Sequence, residues 1–224
     1  MSTLINNKEK VWILIPARKG SKGFPNKNRT LFPYTAETIP LALKNRVYVS
    51  TDDENIVEQA QNAGFNVVHR PAELGRDETS IRDVLVHFKD ECEVPDGDDI
   101  LMLYLTFPDR TMEKVEEIYE FYLNQSAKSA LCKTDLVTHP YLCFHEHDDF
   151  KGTPVVSHDL YRRQDYPKCF MVQHYVALTK AHELKNLNRN LYNENTVYYK
   201  INETPDIDER AHYDKFLEEH YEKV

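Results

Sequence analysis

Residues 15 to 28 read Ile-Pro-Ala-Arg-Lys-Gly-Ser-Lys-Gly-Phe-Pro-Asn-Lys-Asn, directly after an apolar run at 11–15. A short apolar run closed by Pro and Gly reads as a buried strand. It delivers Gly20, Ser21, Gly23 and four cations, Arg18, Lys19, Lys22 and Lys27, to one strand end. A strand that empties into a glycine-rich basic loop constrains the fold towards α/β. In open α/β sheets, ligands sit just beyond the carboxyl ends of the strands. Glycines let backbone N–H groups approach anionic oxygens closely, and clustered cations offset their charge. The loop therefore suits a polyanion such as a nucleoside triphosphate. It lacks the Gly-Lys-Ser/Thr of a Walker A loop and the Gly-x-Gly-x-x-Gly of a dinucleotide fold.

The rest of the first half alternates in the same way. Apolar or β-branched runs at 11–15, 46–50, 66–68 and 100–105 read as strands. Helical spacing follows at 53–63, with Gly64 as a C-terminal stop, then at 81–92 and 111–123. This order predicts a doubly wound, mostly parallel α/β sheet. Residues 139–174 are irregular and rich in Pro and His. Strands resume at 175–178 and 196–201, and a terminal helix is expected over 209–221. With no repeat or flexible linker, the expectation is one domain over 1–224. Between Asn28 and the second strand, Pro33 and Pro40 interrupt weak helical spacing. A shortened helix or a loop is expected there.

Lys and Arg number 28 against 37 Asp and Glu, a formal net charge of −9. That balance argues against nucleic acid or an anionic membrane as partner, since both need a basic surface. No apolar run approaches the roughly 20 residues that span a bilayer. Cys92, Cys132, Cys143 and Cys169 are scattered without a Cys-x-x-Cys. A cytoplasmic location with reduced thiols is the expectation. The run His145-Glu146-His147-Asp148-Asp149 lacks zinc-site spacing and reads as an acidic loop.

The motif at 15–28 resembles the N-terminal signature of the acylneuraminate cytidylyltransferases, the CMP-sialic acid synthetase family. Val49-Ser50-Thr51-Asp52-Asp53, Arg70-Pro71-Ala72-Glu73-Leu74 with Asp77, and Asp206-Ile207-Asp208 are similar to later motifs of that family, in family order. The resemblance implies a nucleotide-diphospho-sugar-transferase-like, Rossmann-like three-layer sandwich. It also implies CMP transfer from CTP to a small acidic acceptor, Mg²⁺ as cofactor, and a homodimer whose protruding element comes from 139–174. Arg18 and Lys27 are implied to stabilise charge during transfer. Ala17, Gly20, Ser21, Asn28, Arg70 and Ser80 join them around the nucleotide, with Asn28 at the cytosine edge. Asp206 and Asp208, two apart in an extended segment, share a face and offer hard oxygens to Mg²⁺. Alternatives remain at several positions: Asp206 as a turn residue, Asp208 and Asp53 as helix caps, Ser80 as a cap for the helix starting at Ile81.

Tyr104, Arg110, Arg163, Gln164 and Gln173 fall at positions implied to meet the acceptor. Here the pattern departs from the family. Tyr104 replaces a Gln, Leu105 a Pro, Phe107 a Ser, Asp109 a Leu, Leu142 a Lys, Met171 an Arg and Gln173 an Asn; Arg110 survives. Losing several polar groups selects against the usual nine-carbon sugar acid. The acceptor reads as a related nonulosonic or octulosonic acid, with a phosphonate, or a nucleotide-binding protein without turnover, as alternatives. Arg162, Arg163, Lys168 and His174 remain as partners for an anionic group.

Overall fold

The computed structural model describes residues 2–221. Among them, a seven-stranded sheet runs in the order β3-β2-β1-β4-β8-β5-β9. The strands are β1 (Val11–Pro16), β2 (Val47–Thr51), β3 (Asn66–His69), β4 (Asp99–Met102), β5 (Ser129–Asp135), β8 (Phe170–Lys180) and β9 (Val197–Lys200). β1 pairs in parallel with β2 and β4, β2 with β3, and β5 with β9. Only β8 is reversed, antiparallel to both β4 and β5. The mostly parallel sheet is therefore present, with one strand turned about.

β1 and β4 are buried almost throughout, as strands covered on both faces must be. Side chains alternate across the sheet. Ile13 and Ile15 join the cluster under α2 (Lys27–Thr38), α3 (Glu54–Ala63), α5 (Met112–Asn124) and α6 (Arg210–Tyr221). Leu14, Ile100 and Met102 join the opposite cluster, with Leu85 and Phe88 of α4 (Ile81–Glu91). A short N-terminal helix, α1 (Thr3–Asn6), is held by the Glu116 carboxylate, which accepts from Leu4 N–H at 3.0 Å.

Local signals set the helix ends. Asp53, Ser80 and Thr111 each cap a helix, their side chains accepting from the N–H groups of Asn55, Asp83 and Lys114. Gly64 ends α3 in the left-handed region at φ 80°.

The interval after Asn28 overturns the expected loop: α2 runs twelve residues, with Pro33 inside it. Proline removes the N–H that would bond the carbonyl four residues back. Here that carbonyl, of Arg29, accepts instead from Gln59 Nε2 of α3 at 3.1 Å. The neighbouring helix thus satisfies the group that the proline orphans, and Leu31, Phe32 and Thr35 stay buried. Pro40 lies just past the helix end and does not interrupt it.

The chain leaves β5 at Asp135 and re-enters β8 at Phe170, which are register partners. The intervening excursion carries a small hairpin, β6 (Phe144–Glu146) with β7 (Gly152–Pro154), and the acidic run spans the end of β6 and the turn that follows. His139, Tyr141, His158 and Tyr166 form a ring cluster at its base, with Tyr141 stacked on His158 at 4.3 Å.

Candidate functional site

β1, β2, β3 and β4 end on the same edge of the sheet, and reversed β8 starts there. A cleft of about 800 Å³ opens along this edge. Its floor is the basic loop. Ala17 N–H donates to Ser50 O at 2.9 Å, and Thr51 Oγ1 donates to Ala17 O at 2.6 Å, so the ends of β1 and β2 are latched. Ala17 is fully buried and serves that latch from beneath the cleft wall. Asp52 Oδ1 accepts from Lys19 N–H at 2.6 Å. Gly20 takes φ 76°, which only glycine adopts readily. Phe24 is buried against Tyr213 of α6, rings 5.4 Å apart, and anchors the far end of the loop.

The loop passes straight into α2, so Lys27 and Asn28 occupy its first turn. The positive end of a helix therefore faces the cleft and adds to the loop's cations. Asn28 Nδ2 donates to Arg18 O at 2.9 Å, tying helix to loop and leaving its carbonyl oxygen as the available group.

Asp206 and Asp208 reach the same cleft from beyond β9. Between them Ile207 is fully buried and its N–H bonds Thr106 O at 2.8 Å, so the two carboxylates point outward together. Lys27 Nζ lies 2.9 Å from Asp208 Oδ1. Gly23 permits this approach: a Cβ there would meet Asp208 O and Glu209 Cγ, each at 3.4 Å. Desolvation, reinforced by the like charge of Asp208, lifts the Asp206 carboxyl above its ordinary value despite a hydrogen bond from Thr106 and the charge of Lys27. Two such carboxylates with one lysine between them favour another cation. Among the described residues, no group of three or more His, Cys, Asp or Glu is arranged for a metal. The protein would give Mg²⁺ two oxygens, and phosphate and water the remainder, which is how that ion is usually held.

Arg70 is buried behind the loop. Its Nη2 donates to Ser50 O at 2.9 Å and its Nε to Ser50 Oγ at 3.2 Å. Burial pushes its pKa down to about 10, offset in part by Asp52. Ser80 is both a cap and a cleft residue. Arg18, Gly20, Ser21, Lys27, Asn28, Arg70 and Ser80 thus share one cleft with Asp206, Asp208 and Tyr104.

The other expected acceptor residues do not reach it. Arg110 is 2% exposed. Its Nη1 donates to Tyr175 O at 2.7 Å, and its Nη2 to Thr35 Oγ1 at 3.2 Å and to Tyr104 O. Its donors point into the core, behind the cleft wall. Arg163 and Gln164 are exposed on the excursion, away from the wall. Gln173 sits opposite Cys132 in the β5–β8 ladder, and the wall residue is its neighbour His174. Arg162 is paired with Asp165 at 2.8 Å, and Lys168 lies over Phe170 at 5.2 Å. The wall next to Tyr104 is instead built by His174, with rings edge-on at 5.8 Å, and by Phe107, Asn190, Arg189 and Arg76. Arg76, Arg189 and Asn190 lie outside any motif, and only the fold brings them together.

Gly75 is held against Asp52: a Cβ there would meet Asp52 Oδ2 at 2.7 Å. Gly75→Ala is expected to push Asp52 off Lys19 N–H and to destabilise the protein by about 1–2 kcal/mol. Thermal melts of a double-mutant cycle check this. The penalty should largely vanish in an Asp52→Ala background.

The fold and cleft define a Rossmann-like α/β protein with a cleft at the carboxyl edge of its sheet that gathers cations of the basic loop. A family model for cytidylyltransferases matches residues 12–207, and the chain belongs to that family. It is 32% identical over 162 residues to an N-acylneuraminate cytidylyltransferase of Streptococcus agalactiae serotype V, covering 68% of this chain and 39% of the relative. The chain therefore spans well under half the length of that relative. It is 28% identical over 144 residues to a CMP-N,N'-diacetyllegionaminic acid synthase of Legionella pneumophila, covering 60% and 62% of the two chains. Among solved structures it resembles a CMP:2-keto-3-deoxy-manno-octonic acid synthetase complexed with CTP, at TM-score 0.67 and 18% identity over 96% of this chain and all of that one. A 4-diphosphocytidyl-2C-methyl-D-erythritol synthase shares the fold at TM-score 0.57 and 12% identity over 93% and 95%. No helix among the described residues is long and apolar enough to cross a membrane.

Proposed function

We propose that this protein transfers CMP from CTP to a sugar acid of the nonulosonic or octulosonic kind and releases pyrophosphate. The observation that carries the reading is the 2.9 Å contact between Lys27 of the basic loop and Asp208 of the distant acidic pair, within a cytidylyltransferase family chain. An acceptor hydroxyl oxygen attacks the α-phosphorus of CTP. It loses its proton to water, and the bond from that phosphorus to the bridging oxygen breaks. Arg18, Lys27, the N–H groups about Gly20 and Ser21, and the start of α2 hold the triphosphate and the charge that develops on it. Arg70, Asn28 and Ser80 lie on the base and ribose side. Asp206 and Asp208 would hold Mg²⁺, which when bound supplies positive charge beside the phosphates. Tyr104 and His174 face the acceptor. Burial keeps the Tyr104 phenol well above its ordinary pKa, so it stays a neutral donor.

The same proposal includes a homodimer. The excursion from β5 to β8 leaves Val137, Phe144, Phe150 and Tyr161 between 64% and 96% exposed, an apolar surface that a second copy would cover. It also includes a cytoplasmic location, in keeping with four free thiols.

Phosphorus NMR of the protein with CTP, Mg²⁺ and a panel of sugar acids and phosphonates tests the reading. A new CMP-ester signal with stoichiometric pyrophosphate is expected for at least one sugar acid. CTP binding with no pyrophosphate from any acid would sink it. Product from a phosphonate alone would keep CMP transfer and replace the acceptor class.

A further inference from the structure

Three of the loop's four cations are already engaged: Lys27 with Asp208, and two others with a single carboxylate. Arg18 Nη2 lies 2.7 Å from Asp77 Oδ1, and Lys22 Nζ lies 2.6 Å from Asp77 Oδ2. One carboxylate thus presents an oxygen to each cation, as a phosphate group would. Asp77 lines the cleft itself, and Lys22 first, then Arg18, hold its carboxyl below the ordinary aspartate range.

The segment carrying Asp77 is tied down on either side. Arg189 donates to Glu78 O, and Arg82 Nη1 donates to Leu187 O at 3.0 Å, which fasten it to the far wall. Thr79 Oγ1 donates to Glu73 O at 3.1 Å, and Gly75 is packed on Asp52, which also grips the basic loop. Asp77 is therefore a fixed charge over the loop, not a wandering surface carboxylate.

We infer that Asp77 is a built-in competitor for the phosphate chain: its carboxylate occupies the anion position of the basic loop and positions Arg18 and Lys22 until a triphosphate displaces it. The inference rests on the proposed function, since it takes the loop as the phosphate site. The physical consequence runs through affinity. A ligand must first break two ion pairs, and apparent affinity falls by the fraction of molecules in which the loop is free. Once a ligand of charge roughly −4 has bound, the Asp77 carboxylate beside it is repelled, so its side chain turns out towards solvent while the segment stays tied. In exchange, the cations are kept in place between turnovers. Asp77 is a positioning residue acting through Arg18 and Lys22.

Isothermal titration with inorganic triphosphate and with CTP tests this on the wild type, Asp77→Asn and Asp77→Glu. The Asp77 side chain is 37% exposed, so the Asn variant is expected to fold, and Asp77→Ser serves as a second neutral variant. Both neutral variants should bind inorganic triphosphate about three- to tenfold more tightly than wild type, the range expected for releasing two partly exposed ion pairs. Asp77→Glu, which keeps the charge, should stay within about twofold of wild type. Adding Lys22→Ala to Asp77→Asn should remove part of the gain. Equal or weaker binding of triphosphate by the neutral variants overturns the inference, because Asp77 is then a bystander or part of the ligand's own coordination. The two readings separate cleanly. Tighter triphosphate binding with no CTP binding by any variant keeps the competitor and removes the CTP reading. Good CTP binding that Asp77→Asn leaves unimproved does the reverse.

Discussion

Lys27→Ala is expected to lower kcat for CMP transfer by about 10²–10³-fold, the cost of removing one donor aimed at developing charge. Lys27 stands in the first turn of α2, its side chain 14% exposed, with its ammonium on Asp208. Among the described residues, no other Lys or Arg forms an ion pair with Asp206 or Asp208. Removing the ammonium therefore takes charge from the phosphate side and leaves Asp206 and Asp208 repelling each other. Stability should barely respond. A pair whose acidic partner is 66% exposed contributes at most about 1 kcal/mol, or a few degrees of Tm in a chain of this size. Lys27→Arg should recover only part of the rate, because a planar guanidinium cannot replace a compact point charge. Pyrophosphate release and thermal melts read the two effects separately. A variant that keeps more than a tenth of the rate would show that the lysine does not meet the transferring group.

The largest stability effect should come from Arg110→Ala. Three acceptors, the carbonyls of Tyr104 and Tyr175 and the hydroxyl of Thr35, are served by this one buried guanidinium, which also lies 5.6 Å from the Tyr175 ring centre. Desolvation pushes its pKa down to about 10, still high enough to keep it charged at neutral pH. Truncation leaves those oxygens unpaired and opens a cavity, together costing about 3–5 kcal/mol, or roughly 6–20 °C in Tm. Differential scanning calorimetry measures it. Were Arg110 an acceptor ligand instead, the melt would hold and only the acceptor KM would rise.

Arg110 also shows where sequence reading stops. Its place in a family-like segment suggested a role at the acceptor, but spacing does not say which way a side chain points, and this one points inward. The interval after Asn28 failed for another reason. Pro33 is a true helix breaker by local rules, and only Gln59 on a neighbouring helix compensates it. β5 was missed because its seven residues stand just ahead of the irregular stretch at 139–174 and end in Lys-Thr-Asp, while its partners β8 and β9 are distant in sequence. The basic loop was legible because it is local: strand, glycines and cations lie within a few residues. The aspartate pair was legible only through resemblance. Period two put both on one face, but nothing in the spacing said that Lys27 would be there to meet them. The wall of Arg76, Arg189 and Asn190 left no trace in the sequence, since each lies in an unremarkable loop.

The register of β5 against β8 carries a consequence for how such proteins diversify. Asp135 and Phe170 face each other, so the whole segment between them starts and finishes at neighbouring points of the ladder. It is an overgrown hairpin tip, and its length places no demand on the sheet that bears it. Insertion, shrinkage or wholesale exchange of this cassette leaves the strand ends that carry the basic loop untouched. On the proposed function, one end of the molecule is then free to change its surface and its contacts, while the cleft that would hold the nucleotide keeps its geometry.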